Sequence, residues 1–106
     1  MDGDKKHTVT KKQVITALAR EKGLHPNEVR SIVQSFLDTL VGCLEKGERI
    51  EFRDFGIFEV VRRKKKIGRN PKNAQVPVII PEHNAVKFTP GKRMKEAVES
   101  GFSSDS

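Results

Sequence analysis

The sequence predicts an α+β fold, in which a helical dimerisation body carries a three-stranded antiparallel sheet extended into a long two-stranded β-ribbon arm. Apolar residues recur every three to four positions in the first half of the chain. Beyond Gly47 the apolar period falls to two, and a strongly basic segment interrupts it. At 106 residues the chain is predicted to be a single domain, 1–106.

Two helices are predicted within residues 8–47, after an N-terminal tail of residues 1–7. The first is expected from Thr10 to Gly23. Thr10 can form a capping box with Gln13, three residues on, and glycine commonly ends a helix.

The second helix is expected from about Pro26 to Lys46. Proline suits the first helical position, and Gly47 suits the exit. Its apolar residues alternate in spacing between three and one, which predicts a wide buried face. They are Val29, Ile32, Val33, Phe36, Leu37, Leu40, Val41 and Leu44.

Residues 48–91 are predicted to form the sheet and the arm. Two strands are expected to join at Asp54 to Gly56. A short C-terminal helix is expected over residues 92–100, with a tail of residues 101–106 after it.

The arm is predicted from segments 59–70 and 75–88, paired as a ribbon. Pro77 and Pro81 in the returning strand cannot donate hydrogen bonds to a ladder, so this strand is expected at a sheet edge.

The whole net charge of the chain belongs to residues 62–72. The other 14 Lys and Arg are matched by 14 Asp and Glu, so the rest of the chain is formally neutral and this segment carries the +7. Such runs are more often solvated faces or tails. Because this one lies between two strand-like segments, a polyanionic partner is favoured. The cations are Arg62, Arg63, Lys64, Lys65, Lys66, Arg69 and Lys72.

A dimer is predicted on energetic grounds. If the arm projects from the body, the remaining core belongs to roughly 70 residues, a size at which one hydrophobic core supplies only a few kcal/mol. A second copy could cover the long helix and the phenylalanine strands across a two-fold axis. The predicted dimer core is Val33, Phe36, Leu37, Leu40, Leu44, Phe52, Phe55, Phe58 and Phe88.

Other function classes are less well supported. Cys43 is the single cysteine, so it is interpreted as a helix residue rather than a redox thiol or part of a cysteine metal cluster. His83 and Glu82 should point to opposite faces of a strand, which argues against an acid–base pair and an enzyme. No cofactor, metal or small-molecule substrate is expected.

An RNA-binding module would share the basic charge. It should prefer single strands and stacking aromatics, whereas Tyr and Trp are absent and the phenylalanines are interpreted as core. No apolar run is long enough for a membrane helix, and the N-terminus lacks the apolar segment of a secretory signal. A cytoplasmic location without membrane contact is therefore expected.

Three motifs, in this order and spacing, resemble the HU and integration host factor proteins, the bacterial histone-like DNA-bending dimers. They are GERIEFRDFGIFEV (47–60), IGRNPK (67–72) and VKFTPGKRMKEAV (86–98). The resemblance covers about residues 8–100. It implies an intertwined dimer, associated with the nucleoid, whose two arms enter the minor groove of duplex DNA largely without sequence specificity and bend it. Homodimer and heterodimer with a paralogue stay open.

The resemblance also implies roles for single residues. Pro71 matches the intercalating proline of the family, and an apolar ring without an N–H suits a wedge between base pairs. Arg69 and Asn70 beside it can meet the acceptors of the minor groove. Of the alternating basic residues, the family pattern favours Lys66 over Lys65. Apart from the resemblance, Lys92, Arg93 and Lys95 are expected to contact phosphates, because they lie near the N-terminus of the last helix, which is itself an anion site. A helix-solubilising role for Arg93 and Lys95 stays open.

Arg53 matches an arginine that the integration host factor beta chain uses on the minor groove, which makes sequence-preferring bending the alternative function. Asp54 stands where the family has a small residue, and it could pair with Arg53 or repel a phosphate. Asn73 and Ala74 replace the usual Thr-Gly, and the return to Phe88 is one residue longer. An altered turn or a bulge is therefore expected near the tip.

Overall fold

The computed structural model describes residues 6–101, and its helices and strands confirm the α+β class. The chain divides into two compact units, Met1–Leu40 and Val41–Ser106. The predicted tails lie largely outside the described residues. In chain order the elements are α1 (Lys11–Lys22), α2 (Pro26–Glu45), β1 (Ile50–Phe52), β2 (Gly56–Arg63), β3 (Lys66–Asn70), β4 (Asn73–Ile80), β5 (His83–Pro90) and α3 (Lys92–Gly101).

Local side-chain chemistry sets both ends of α1, as predicted. The Thr10 hydroxyl accepts from the Gln13 N–H (3.2 Å), and Gln13 Oε1 accepts from the Thr10 N–H (2.9 Å), which completes a capping box. At the other end Gly23 is left-handed, with φ 65°, and the Leu24 N–H donates to the Ala19 carbonyl.

Helix α2 begins at Pro26, as predicted, and a second reciprocal cap stabilises its start. The His25 N–H donates to Glu28 Oε1 (3.1 Å), while His25 Nδ1 accepts from the Asn27 N–H (3.0 Å). These bonds satisfy N–H groups that the first turn of a helix leaves without a helical acceptor. The helix ends at Glu45, one residue before the predicted end, and Gly47 follows with φ 80°.

Three residues form the buried apolar core of the described chain, and all belong to the first unit. Ile15, Ala19 and Val29 are 3%, 5% and 6% exposed. Leu18 and Val33 pack against them and are partly buried. Most of the apolar residues in the described chain therefore lie outside this buried core.

The second unit contains a three-stranded antiparallel sheet with strand order β1-β2-β5. A turn closed by the Phe55 N–H donating to the Phe52 carbonyl (3.0 Å) joins β1 to β2, where the sequence predicted the junction. Pairing of β2 with β5 runs from Gly56 opposite Pro90 to Arg63 opposite His83. The sheet leads into α3, which ends at Gly101, one residue beyond the predicted end.

The predicted ribbon is present but divided. Arg63 pairs with His83, and the next pair is Lys66 with Ile80, so the register is unchanged and two residues on each strand are unpaired. Pro81 lies in this gap. It has no N–H for the ladder and its ring fixes φ, and both properties disfavour strand pairing at this point. Beyond the gap β3 and β4 form a separate two-stranded sheet.

A bulge precedes the tip, as the longer return strand predicted. Pairing moves from Arg69 opposite Pro77 to Asn70 opposite Asn73, which leaves residues 74–76 of β4 without an opposite residue on β3. Extra residues on one strand bend it and increase the local twist. The turn itself is Pro71 and Lys72.

Candidate nucleic-acid interface

The arm, defined as residues 62–84, presents its cations to solvent. All seven basic residues of the 62–72 segment are exposed. On β3, Lys66 and Gly68 share one face, whereas Ile67 and Arg69 share the other, because successive side chains in a strand alternate. Lys64 and Lys65 lie in the gap between the two sheets. The arm is therefore a positive surface on both faces.

Four consecutive cations line one cleft at the gap. Arg63, Lys64, Lys65 and Lys66 surround a volume of about 460 Å³ together with Ile80 and His83. His83 Nδ1 lies 2.9 Å from the Pro81 carbonyl oxygen and donates to it, since a carbonyl oxygen only accepts. The sequence predicted that these cations contact a polyanion, but it did not predict that the gap between the two sheets brings four of them around one cleft.

Arg62 differs from the other arm cations because it is held within the chain. Its Nε lies 3.1 Å from Glu82 Oε2, and its Nη1 donates to Asn84 Oδ1 at 3.1 Å. Asn84 is its partner across the β2–β5 ladder. Both side chains of the ion pair are about half exposed, so solvent screens it. Sequence reasoning assigned Arg62 to DNA and missed this pairing.

The tip places Arg69, Asn70, Pro71 and Lys72 in consecutive positions. Pro71 is exposed. Asn70 Oδ1 accepts from the Lys72 N–H (2.9 Å), which shapes the turn and leaves the amide NH₂ as the donor group of that side chain. On the return, Asn73 Oδ1 accepts from the Gln75 N–H (3.1 Å). The asparagine that replaces threonine thus supports a second local turn.

A second basic cleft lies between the β1–β2 turn and α3. Arg53, Asp54 and Phe55 from the turn and Arg93, Met94 and Ala97 from α3 line a volume of about 350 Å³. The fold thereby brings together two arginines 40 positions apart in sequence. Lys92 and Lys95 are exposed in the first turn of α3, which contains no acid.

The family model described as bacterial DNA-binding protein matches residues 9–99. The chain belongs to this family, which includes HU and integration host factor. It is 56% identical over 93 residues to a protein named probable DNA-binding protein HU from Chlamydia pneumoniae, covering 88% of this chain and 93% of that one. It is 38% identical over 94 residues to integration host factor subunit beta of Nitrosomonas europaea, covering 88% and 89%.

The fold of the chain is also similar to that of solved HU structures. The Anabaena HU–DNA cocrystal structure matches with a TM-score of 0.74 and 27% identity, covering 85% of this chain and 97% of that chain. The HU family comprises DNA-binding architectural proteins and not enzymes, as the sequence predicted.

The phenylalanines of this HU-family chain pack on one another. The rings of Phe58 and Phe88 are 4.7 Å apart between centroids, and those of Phe55 and Phe88 are 5.7 Å apart. Phe52 contacts both Phe55 and Phe58 edge-on, at 6.3 and 6.4 Å. Even so, Phe55 and Phe88 are 47% and 37% exposed, so the cluster does not close within one chain.

The residues that the sequence assigned to the dimer core are partly or largely exposed in this single HU-family chain. On α2, Val33, Leu40 and Leu44 are partly buried, whereas Phe36 and Leu37 are 50% and 37% exposed. None of the predicted dimer-core residues is one of the three buried core residues of the described chain, although Val33 packs against them. Their role in a dimer stays a prediction.

Residues 6–101 contain no group of three His, Cys, Asp or Glu that could hold a metal ion. No helix among them has the length and apolarity to cross a bilayer. Desolvation raises the pKa of the Cys43 thiol above its usual value, and a hydrogen bond to Glu48 raises it further. Both effects disfavour the reactive thiolate.

Proposed function

We propose that this chain acts as a dimer that binds duplex DNA largely without sequence specificity, places its two arms in the minor groove and bends the helix at Pro71. Such binding would contribute to DNA compaction and nucleoprotein assembly in the nucleoid. The observation that carries the proposal is the concentration of the net charge of +7 in residues 62–72, whose cations are all exposed and which form one strand and the tip of the ribbon, with an exposed proline at that tip.

The arm cations supply affinity without reading sequence. Lys and Arg that neutralise phosphates release counterions, a term that depends on charge and on salt rather than on bases. The gap cleft concentrates four of them, Arg63 to Lys66, where a phosphate could be held from several sides. This arrangement favours general binding over selection of one site.

The tip supplies the bend. A proline ring inserted between base pairs unstacks them at a cost of a few kcal/mol and kinks the duplex, and the bent DNA then contacts more protein. Arg69 and the Asn70 amide NH₂ flank the ring and can donate to the minor-groove acceptors that every base pair offers. Lys72 adds charge at the same point.

The basic cleft of Arg53 and Arg93, with Lys92 and Lys95 nearby, suits the flanking phosphates. Deformation of DNA costs energy that additional contacts must offset. Cations on the turn and on the first turn of α3 are placed to provide these contacts. Arg53 also favours the alternative function, sequence-preferring bending like that of integration host factor.

Dimerisation is supported by the apolar surface that one chain leaves exposed. Ile32 and Val41 on α2 are 64% and 65% exposed, and Val86 on β5 is 58% exposed. Val41, Leu44, Val60, Ala85 and Val86 help to line an apolar concavity of about 490 Å³ in the second unit. A stable monomer rarely exposes so much apolar surface, and a second copy would bury it.

The bending proposal is tested by fluorescence energy transfer across an end-labelled duplex. We expect Pro71→Ala to bend DNA less than the wild type while losing little affinity. Pro77→Ala is the matched control, because it removes another arm proline that lies away from the tip. Equal bending by the Pro71→Ala and wild-type proteins would refute the wedge.

The dimer is tested by sedimentation equilibrium of the protein alone. A mass of about twice 11.9 kDa is expected. A folded monomer would contradict the homodimer and leave a paralogue as the required partner.

Titration against random, nicked and kinked duplexes and single-stranded RNA then separates the alternatives. Strong preference for one duplex would favour the sequence-preferring role, and preference for RNA would overturn the proposal.

A further inference from the structure

The turn between β1 and β2 carries an acidic residue where the backbone geometry favours glycine. It spans Phe52 to Phe55 and is closed by the hydrogen bond between these two residues. Asp54, its third residue, has φ 69° and is the one non-glycine residue with positive φ among residues 6–101. Positive φ confined to the third position is the pattern of a type II turn, where glycine or asparagine is usual.

This turn is held firmly against the start of α3. A Cβ placed on Gly91 would lie 3.0 Å from the Asp54 carbonyl carbon and 3.1 Å from its oxygen, so the two backbones are in close contact. The Gly91 N–H also donates to the Phe55 carbonyl (2.8 Å). The position of Asp54 is therefore defined by backbone packing rather than by a loose loop.

Asp54 places negative charge in a cleft that is otherwise basic. It is exposed and lines the same concavity as Arg53 and Arg93. Within residues 6–101 no ion pair joins it to either arginine. Glu82 provides the contrast, because that acid is paired with Arg62 at 3.1 Å. Of the two roles that the sequence leaves open for Asp54, pairing with Arg53 is not observed.

We propose that Asp54 sets DNA affinity at the Arg53–Arg93 cleft: its carboxylate opposes the approach of a DNA phosphate and weakens the hold of the cleft on the duplex. The inference rests on the proposed DNA-binding function. A carboxylate within a Debye length, about 10 Å at 0.1 M salt, of a phosphate raises the energy of the complex. Because the cleft is open to water, the effect is modest and salt-dependent.

The arm and the Arg53–Arg93 cleft therefore contribute unequally to DNA affinity. Affinity comes mainly from the arm, whose single acid, Glu82, is already paired. The cleft contributes less than two exposed arginines otherwise could. Removal of the Asp54 charge should therefore strengthen binding to any duplex and leave the insertion of Pro71 unchanged.

The test compares the Asp54→Asn and wild-type proteins by fluorescence anisotropy on a labelled duplex of mixed sequence. Asparagine keeps the side-chain shape and tolerates positive φ, so the fold should be retained. We expect about two- to fivefold tighter binding at low salt (about 0.05 M) and a smaller gain at about 0.2 M. Asp38→Asn, a loss of the same charge on α2 outside the cleft, should change affinity less.

A second pair of variants isolates the cleft. If Arg53 and Arg93 are both replaced with alanine, the gain from Asp54→Asn should disappear. Unchanged or weaker binding by Asp54→Asn, while the wild-type protein binds and bends duplex DNA, would overturn this inference alone. Failure of the wild-type protein to bind duplex DNA would overturn the proposed function, and this inference with it.

Discussion

Gly56 lies directly against the ring of Phe88. A Cβ placed on Gly56 would stand 2.6 Å from Phe88 Cε1 and Cζ and 2.8 Å from the Thr89 carbonyl oxygen. Cβ atoms do not approach other atoms so closely, so the absence of a side chain at Gly56 leaves the space that the Phe88 ring occupies. The same ring packs on Phe58, with 4.7 Å between the centroids.

We predict that Gly56→Ala destabilises the protein by about 1–3 kcal/mol, because the added methyl must displace either the ring or the β5 backbone. Thermal unfolding followed by circular dichroism measures the loss. Gly68→Ala is the control, since its Cβ would meet Ile80 Cδ1 at an ordinary 3.8 Å. A melting temperature for Gly56→Ala equal to that of the control would show that the cluster adjusts freely.

Features set by residues close in sequence could be predicted. The capping box of Thr10 and Gln13 depends on chemistry three positions apart, and the structure shows both of its hydrogen bonds. The basic character of the arm and its turn at Pro71 likewise follow from a short segment. The three motifs and their spacing within residues 47–98 were specific enough to indicate the family, which the family model confirms.

Features that depend on register could not be predicted. The pairing of Arg62 with Glu82 requires knowledge of which residues of β2 and β5 are opposite, and the cleft requires α3 to meet a turn 40 positions earlier. The gap in the ribbon could be predicted only in part. The sequence shows that Pro81 lacks an N–H, but only the register shows that Lys65 lies opposite it.

We predict that Pro81→Thr closes the gap between the two sheets of the arm. Threonine restores an N–H in a segment whose register already matches on both sides, and its branched side chain favours strand geometry. Amide hydrogen exchange at Lys65, the residue opposite position 81, should become slower. Pro77→Thr, a change within the paired part of β4, should leave that amide as it is. Exchange as fast as in the wild-type protein would show that Pro81 does not cause the interruption.

We predict that Glu82→Gln strengthens DNA binding with little change in stability. The ion pair with Arg62 is about half exposed, so its loss should cost under about 1 kcal/mol. Freed from the carboxylate, Arg62 can contact a phosphate, and the salt dependence of binding should steepen by about one counterion. The measurement is the equilibrium constant over a series of salt concentrations.

The control for this prediction is the double variant Arg62→Ala with Glu82→Gln, which should show no steeper salt dependence than Arg62→Ala alone. Weaker binding by Glu82→Gln would indicate the opposite role, in which Glu82 and Asn84 hold the Arg62 guanidinium in the orientation that DNA requires.

We predict that Cys43 reacts slowly with alkylating reagents near neutral pH and that Glu48→Gln speeds the reaction. Desolvation and the Glu48 carboxylate both raise the pKa of the thiol, so at a given pH less thiolate is present than for a free cysteine. The rate should rise with pH as the thiol ionises, and the rise should begin at lower pH in the variant. Desolvation, the larger cause, stays in the variant, so its thiol pKa should still lie above the usual value.

The control is Glu45→Gln, which removes the same charge at the end of α2 and should leave the alkylation rate of Cys43 unchanged. Identical pH profiles for the Glu48→Gln and wild-type proteins would show that the Glu48 carboxylate does not act on the thiol.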